Sequence, residues 1–235
     1  MQGILLIDKP KGWTSFDAVN RVRRIIQHSE LNTTGKKRFP VGHTGTLDPL
    51  ATGLLVLLLG SSTKQAPALT KLDKTYSVTM CLGQTSTTGD EEGEKSVVSD
   101  ARPAQDEVEA ALQRFTGDIL QTPPIHSAVK VNGQRAYKLA RAGKVPELEP
   151  RPVHIEKIVL TGYRYPYVDF VVHVSSGTYV RSLVQDIGKA LQTGAYMSDL
   201  RRLTVGPFRI TDAIPVDGLT PEIISRHAFD NPKTP

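Results

Sequence analysis

A chain of 235 residues, 39% apolar and 23% charged, has the make-up of a globular protein that can bury a sizeable core in one large domain or two small ones. A single cysteine excludes an internal disulfide and a cysteine-rich zinc site, and the six histidines show no HExxH spacing. No segment approaches the roughly 20 apolar residues of a membrane span, and the net charge of +5 suits a polyanionic partner without demanding one.

The N-terminus, MQGILLIDKPKGW, lacks a basic start followed by a long apolar stretch, so no signal peptide is expected. A cytoplasmic, metal-free protein is the simplest expectation. "GILLID" reads as a short buried strand ended by Lys9-Pro10 and Gly12. Ser15 is placed to cap a helix running to about Ile26, with Phe16, Val19, Val22 and Ile26 on one stripe. Residues 28–40 are polar, carry Gly35 and the consecutive Lys36, Lys37 and Arg38, and read as a flexible loop.

Leu54–Leu59 predicts a buried strand, Thr63–Lys71 a short helix and Thr75–Leu82 an alternating strand. Gly83–Asp100 is loop or hairpin and holds the acids of "GDEEGE". "PAQDEVEAALQRFTG" predicts an amphipathic helix closed by Gly117. Thr122–Pro152 opens on Pro-Pro, carries a small basic helix over about Arg135–Ala142, and closes with further prolines. Such brackets mark an excursion from the main body. Two antiparallel strands follow, about Val153–Tyr163 and Tyr167–Val174; then comes a helix ending at Gly194, and a strand in "DLRRLTVGPFRI". This order predicts an α+β fold with a mixed, largely antiparallel sheet, and not a doubly wound nucleotide fold.

The stretch "VGHTGTLDPLATGLLVLLLG" poses the chemical question. Asp48 stands there alone, with no second acid and no ligand cluster beside it. Pro49 biases it away from helical geometry. One reading makes Asp48 an N-cap, with Pro49 as the first residue of a single helical turn. The other notes that Gly42, His43, Thr44, Gly45 and Thr46 form a tight polar loop before it, whose glycines permit close backbone approach to a ligand. Local residues leave both open.

"GHTGTLDPLATGLL" closely resembles the signature of the TruB family, the tRNA pseudouridine-55 synthases. "GILLIDKPKGWTSFDAV", "KTYSVTMCLGQTSTTGD", "PPIHSAVKVNGQRAYKLARAG", "SSGTYVRSLVQDIG" and "LRRLTVGPF" resemble further motifs of that family, in the family's order, across most of residues 3–208. The resemblance implies the pseudouridine synthase fold in a single catalytic domain, with residues 122–152 as an inserted RNA-gripping thumb. It implies isomerisation of uridine 55 in the T loop of tRNA, without metal or cofactor. The reaction breaks an N-glycosidic bond and rejoins the base through carbon, consuming no water. A glycosidase usually needs two carboxylates, one of them to activate or replace water; an isomerase can work with one. By resemblance Asp48 is that carboxylate, either adding to the ribose or abstracting a ribose proton toward a glycal.

The same resemblance assigns Arg181 an ion pair with Asp48. Spacing alone equally allows an exposed arginine, in a first helical turn where a cation opposes the macrodipole. It assigns Tyr76 a stack on the flipped uracil, where sequence alone suggests a core tyrosine. His43, with Gly42 and Thr44 around it, is implied to hold the extruded base. Leu200 and Tyr179 are implied to line the uracil site. Lys9 is expected to brace the site wall or bind RNA, and Asp90 to accept a polar contact near the pocket. Lys130, Arg135, Lys138 and Arg141 are the candidate phosphate contacts of the thumb.

Two departures stand out. Many bacterial relatives carry a C-terminal PUA domain, and the 27 residues after Phe208 are too few for one. The loop 28–40 is longer than the family's usual link, and Lys36, Lys37 and Arg38 are expected to add phosphate contacts there. Partners are thus expected to be the tRNA T-arm alone, with no guide RNA, no protein and no membrane, and the chain a monomer. Rival readings are the guide-dependent dyskerin-like enzyme, an RNA-binding protein that has lost its chemistry, and a small-molecule glycosidase.

Overall fold

The structure is a computed structural model and describes residues 1–33, 35, 38–125, 127, 129–131, 133–136, 139, 142–143 and 146–230, with the side chains at 130, 131 and 135 also outside that description. In chain order the first elements are β1 (Gly3–Lys9), α1 (Ser15–Gln27), β2 (Val41–His43), β3 (Thr52–Leu59), α2 (Ala66–Leu69) and β4 (Lys74–Leu82). Next come β5 (Gln84–Ser86), β6 (Lys95–Val97), α3 (Gln105–Gln113), β7 (Gly117–Gln121), β8 (Lys130–Val131) and β9 (Gln134–Arg135). The rest are β10 (Arg151–Arg164), β11 (Tyr167–Val174), α4 (Val180–Ala190), β12 (Ala195–Val205), β13 (Phe208–Arg209), β14 (Ile214–Pro215) and α5 (Pro221–His227). The chain divides into two compact units, Met1–Tyr76 with Arg201–Pro235, and Ser77–Leu200.

In the first unit β1 runs antiparallel to β3, from Gly3 opposite Leu59 to Lys9 opposite Gly53. β14 lies parallel to β1, β2 pairs with the far end of β3, and Arg201 and Arg202 of β12 pair in parallel with Thr52 and Gly53. The apolar runs of β1 and β3 are continuous because both of their faces are covered. Leu5, Ile7, Leu55, Leu57 and Leu59 point to one cluster with Ala18, Val19, Val22 and Ile26 of α1 and with Phe39. Ile4, Leu6, Leu54, Val56 and Leu58 alternate onto the other side, against Leu69, Val205 and Phe208. Each buried Leu or Ile contributes roughly 1.5–3 kcal/mol.

Helix α1 starts one residue before the place its sequence suggests. Thr14, not Ser15, is the N-cap: its hydroxyl accepts from Asp17 N at 3.1 Å, and Asp17 accepts from Thr14 N at 2.9 Å. This is a capping box. The buried stripe is Ala18, Val19, Val22 and Ile26, while Phe16 is 58% exposed. The loop after α1, expected to be flexible, is tied at both ends. Leu31 packs on the core and its carbonyl accepts from the chain's amino terminus, and Phe39 is fully buried with its N–H on Gln27.

In the second unit the strand order is β12-β4-β11-β10-β7, with β11 and β7 antiparallel to β10. α3 packs against β10 and α4. β5 and β6 form a hairpin within Gly83–Asp100, the segment whose sequence left loop and hairpin both open. β7 and the early start of β12 at Ala195 were not expected from sequence. β8 and β9 pair as a small hairpin, Lys130 opposite Arg135, within the excursion 122–152.

Candidate active site

In the first unit, β2 delivers the segment that carries Asp48. His43 ends the strand opposite Leu57, and Thr44 N donates to Val56 O at 3.1 Å. Asp48 caps no helix: residues 48–51 make a turn, with Ala51 N donating to Asp48 O at 3.1 Å, and β3 begins at Thr52. Both neighbours of Asp48 are held by the segment that follows β1. Ser15 Oγ accepts from Leu47 N at 2.8 Å and donates to Leu47 O at 3.1 Å. Gly12 N donates to Pro49 O at 2.8 Å. The main chain of the turn is thus fixed, while the Asp48 residue itself is half-buried.

His43 Nδ1 accepts from Gly45 N at 3.2 Å, so the neutral ring carries its proton on Nε2. Burial, then the field of Arg202, pushes the His43 pKa below the ordinary 6.5. The ring is therefore neutral at pH 7 and offers an N–H and an apolar face.

Among the described residues, three cations are buried in the same unit. Lys9 is fully buried, and its ammonium donates to Pro10 O at 2.9 Å and Trp13 O at 2.6 Å. Its pKa falls from 10.5 to about 8, through burial first and Arg202 second, opposed by the charges of Asp48 and Asp17. Lys74 donates to Thr70 O and Leu72 O and is likewise lowered to about 8 by burial and Arg202. The third is Arg202 itself. Tyr76, on β4, is buried. Gly42 has an ordinary backbone, and it is Gly53, at φ +97°, that needs to be glycine: a Cβ there would lie 2.4 Å from Arg202 O.

In the second unit Arg181 occupies the first turn of α4 and is buried, not an exposed surface arginine. Its Nη1 lies 3.6 Å from Asp90 Oδ2 and donates to Thr88 O at 3.2 Å. Asp90, despite the acids that surround it in sequence, is buried and accepts from Thr88 Oγ1 and from Glu92 N at 3.1 Å. These partners offset the unfavourable position of a cation at a helix N-terminus. Tyr179 is the N-cap of α4, with its N–H on Gln121 Oε1 at 2.8 Å; Ser182 Oγ donates to Thr122 O at 2.8 Å, and Leu200 is buried on β12.

Of the expected RNA contacts, Lys138, Arg141, Lys36 and Lys37, and the side chains of Lys130 and Arg135, lie outside the described residues; Arg38 is exposed. Among the described residues no three His, Cys, Asp or Glu side chains gather as a metal site. Sequence reasoning missed Ser15, Lys74 and Arg202. Ser15 was read as a cap, and Arg202 as one more residue of a strand. The parity of β12, which buries Leu200 and Arg202 together, was the signal for the latter.

The fold has solved counterparts. One chain of a Cbf5-Nop10-Gar1 complex matches with a TM-score of 0.69 and 30% identity, over 91% of this chain and 52% of that one. A chain of an H/ACA RNP bound to a substrate RNA containing 2'-deoxyuridine matches with a TM-score of 0.65 and 27% identity, over 91% and 51%. This chain spans about half the length of those solved chains. The architecture is a pseudouridine synthase fold, α+β with a mixed sheet and no closed barrel.

The family follows from sequence. Residues 32–180 match the TruB family pseudouridylate synthase N-terminal domain, and residues 181–230 match the tRNA pseudouridylate synthase B C-terminal domain. The tRNA pseudouridine synthase B of Gluconacetobacter diazotrophicus is 45% identical over 224 residues, 94% of this chain and 69% of the relative. That of Pseudomonas aeruginosa is 44% identical over 219 residues, 93% and 69%. The chain belongs to the TruB family of pseudouridylate synthases, enzymes that isomerise uridine within RNA.

Proposed function

We propose that this chain converts uridine 55 in the T loop of tRNA to pseudouridine, acting alone, with Asp48 as the reacting carboxylate on an extruded base. Support comes from the relatives named tRNA pseudouridine synthase B, which are 45% and 44% identical, against 30% for the Cbf5 chain. The observation that carries the mechanism is the main-chain-locked turn that presents one carboxylate. A rearrangement in which the base leaves C1′ through N1 and returns through C5 needs no activated water. Holding one acid in place is then worth more than supplying a second.

In this reading neutral His43 occupies the gap left by the extruded base, and Tyr76 stacks on the uracil. Arg181 pairs with Asp48, and Asp90 orients Arg181. Leu200 and Tyr179 line the base, and Gly42 and Thr44 keep the loop close to it. Asp48 either bonds to C1′ as the C1′–N1 bond breaks or removes a ribose proton as the base leaves; C5 then bonds to C1′ as the Asp48–C1′ bond breaks or as the ribose proton is returned, and in the net exchange C5 loses a hydrogen and N1 gains one. Lys9 braces the wall from inside. Residues 122–152 act as a thumb within one catalytic domain, and Lys130, Arg135, Lys138 and Arg141 meet phosphates, so affinity should fall as salt rises. Among the described residues no helix is long and apolar enough to cross a membrane; a cytoplasmic monomer fits this role.

The test is a bare T-arm stem–loop incubated with purified protein, with pseudouridine mapped by mass spectrometry. One product at position 55, formed without guide RNA or partner, is expected. Modification elsewhere, or only with an added guide, would overturn the assignment.

A further inference from the structure

Arg202 is the largest fully buried side chain of the described residues, 1% exposed. Its Nε donates to Leu54 O at 2.7 Å, its Nη2 to Gly45 O at 3.1 Å, and its Nη1 reaches Thr46 O at 3.5 Å. One planar group therefore grips the main chain on both sides of Asp48, before it at Gly45 and Thr46 and after it at Leu54. The close pairing of Gly53 with Arg202 sets the guanidinium there. Gly45 also lies against Arg202: a Cβ on it would be 3.5 Å from Arg202 Nη1. Ser15 and Gly12 hold the inner part of the same turn. The bonds of Arg202 close the outer part.

We propose that Arg202 is a positioning residue for the isomerisation: its guanidinium clamps the Gly45–Leu54 turn from within and so fixes where the Asp48 carboxylate stands. This rests on the reading of Asp48 given above. A lysine cannot substitute, because an ammonium is a point charge without a planar fork that spans separate carbonyls. Burying a cation is costly unless its donors are satisfied. A buried leucine would fill similar space more cheaply but would leave the carbonyls of Gly45 and Leu54 without this donor. The charge is also felt nearby, since it contributes to the lowered pKa values of His43, Lys9 and Lys74, second to burial in each case.

Arg202→Lys, made in the full chain, separates positioning from mere packing. Single-turnover kcat on tRNA should fall about 100-fold with the tRNA Kd within twofold of the parent. Amide hydrogen exchange at residues 45–51 should quicken at least tenfold while β10 is unchanged. Arg202→Ala should behave likewise and recover turnover when ethylguanidinium is added. A folded Arg202→Lys variant with parental kcat, or with parental exchange at 45–51, overturns the assignment. So does a chain that is unfolded in both variants, which would make Arg202 a stability residue only. If the exchange quickens as expected but even the parent makes no pseudouridine, the clamp stands and the proposed reaction falls.

Discussion

The two regions proposed to carry the chemistry are held by different means. The Asp48 turn in the first unit is fixed through its main chain: Ser15, Gly12 and Arg202 all bond to backbone atoms around it. Arg181 in the second unit is instead held through its own guanidinium, which donates to Thr88 O at 3.2 Å and lies 3.6 Å from Asp90, a carboxylate that accepts from Thr88 Oγ1 and Glu92 N. A main-chain brace sets the place of a residue whatever its side chain is. A side-chain network sets charge and aim, and fails when either charge is removed. Substituting Asp48 should therefore leave the fold intact, while substituting its braces should damage fold and rate together.

Apart from changes to Asp48 itself, removing the charge in the second region should have the largest effect. Arg181→Met should lower kcat by roughly 10²–10³-fold with little change in tRNA Kd, the usual loss for one aimed donor; presteady-state kinetics would show it, and near-parental turnover would deny Arg181 its role. In the first region Gly53→Ala combines strained backbone with a 2.4 Å clash against Arg202 O, at about 3 kcal/mol. Tm should drop by roughly 6–12 °C. Ser15→Ala leaves Leu47 N without its hydroxyl partner, at about 2 kcal/mol. Tm should fall by roughly 4–8 °C, and kcat should fall more than KM rises; a loss of stability with kcat untouched would show that the brace has no bearing on chemistry.

The smallest effect is pH-dependent. Folded Lys9 releases its proton near 8 and free lysine near 10.5. Between those values the unfolded chain holds more protons, so this group's contribution makes stability climb with pH. From pH 7 to 9 the climb is about 1.4 kcal/mol. Lys9→Met should remove it, giving a flatter plot of denaturation midpoint against pH than the parent; parallel plots would mean the buried ammonium is not perturbed.

Much of this was legible in the sequence, for physical reasons. β1 and β3 are apolar on both faces, so their runs stand out, and α1 shows its stripe. β7 did not show: it has five residues and leaves Leu120 exposed, so nothing in its pattern separates it from a loop. The T-x-x-D of Thr14 and Asp17 was a readable capping box, and reading Ser15 as the cap hid its bond to Leu47. The residue types proposed for the site stood out in the sequence because the proposed chemistry calls for them. The clamp was not, since contacts between Arg202 and carbonyls about 150 positions earlier leave no local trace.

Asp48→Asn tests the central claim most directly, because it preserves shape and backbone and removes only the charge. Incubated with unmodified tRNA transcript, a variant that melts within about 2 °C of the parent should form no pseudouridine above a rate roughly 10⁴-fold below it, a loss of about 5.4 kcal/mol. Product accumulating at the parental rate would contradict the account.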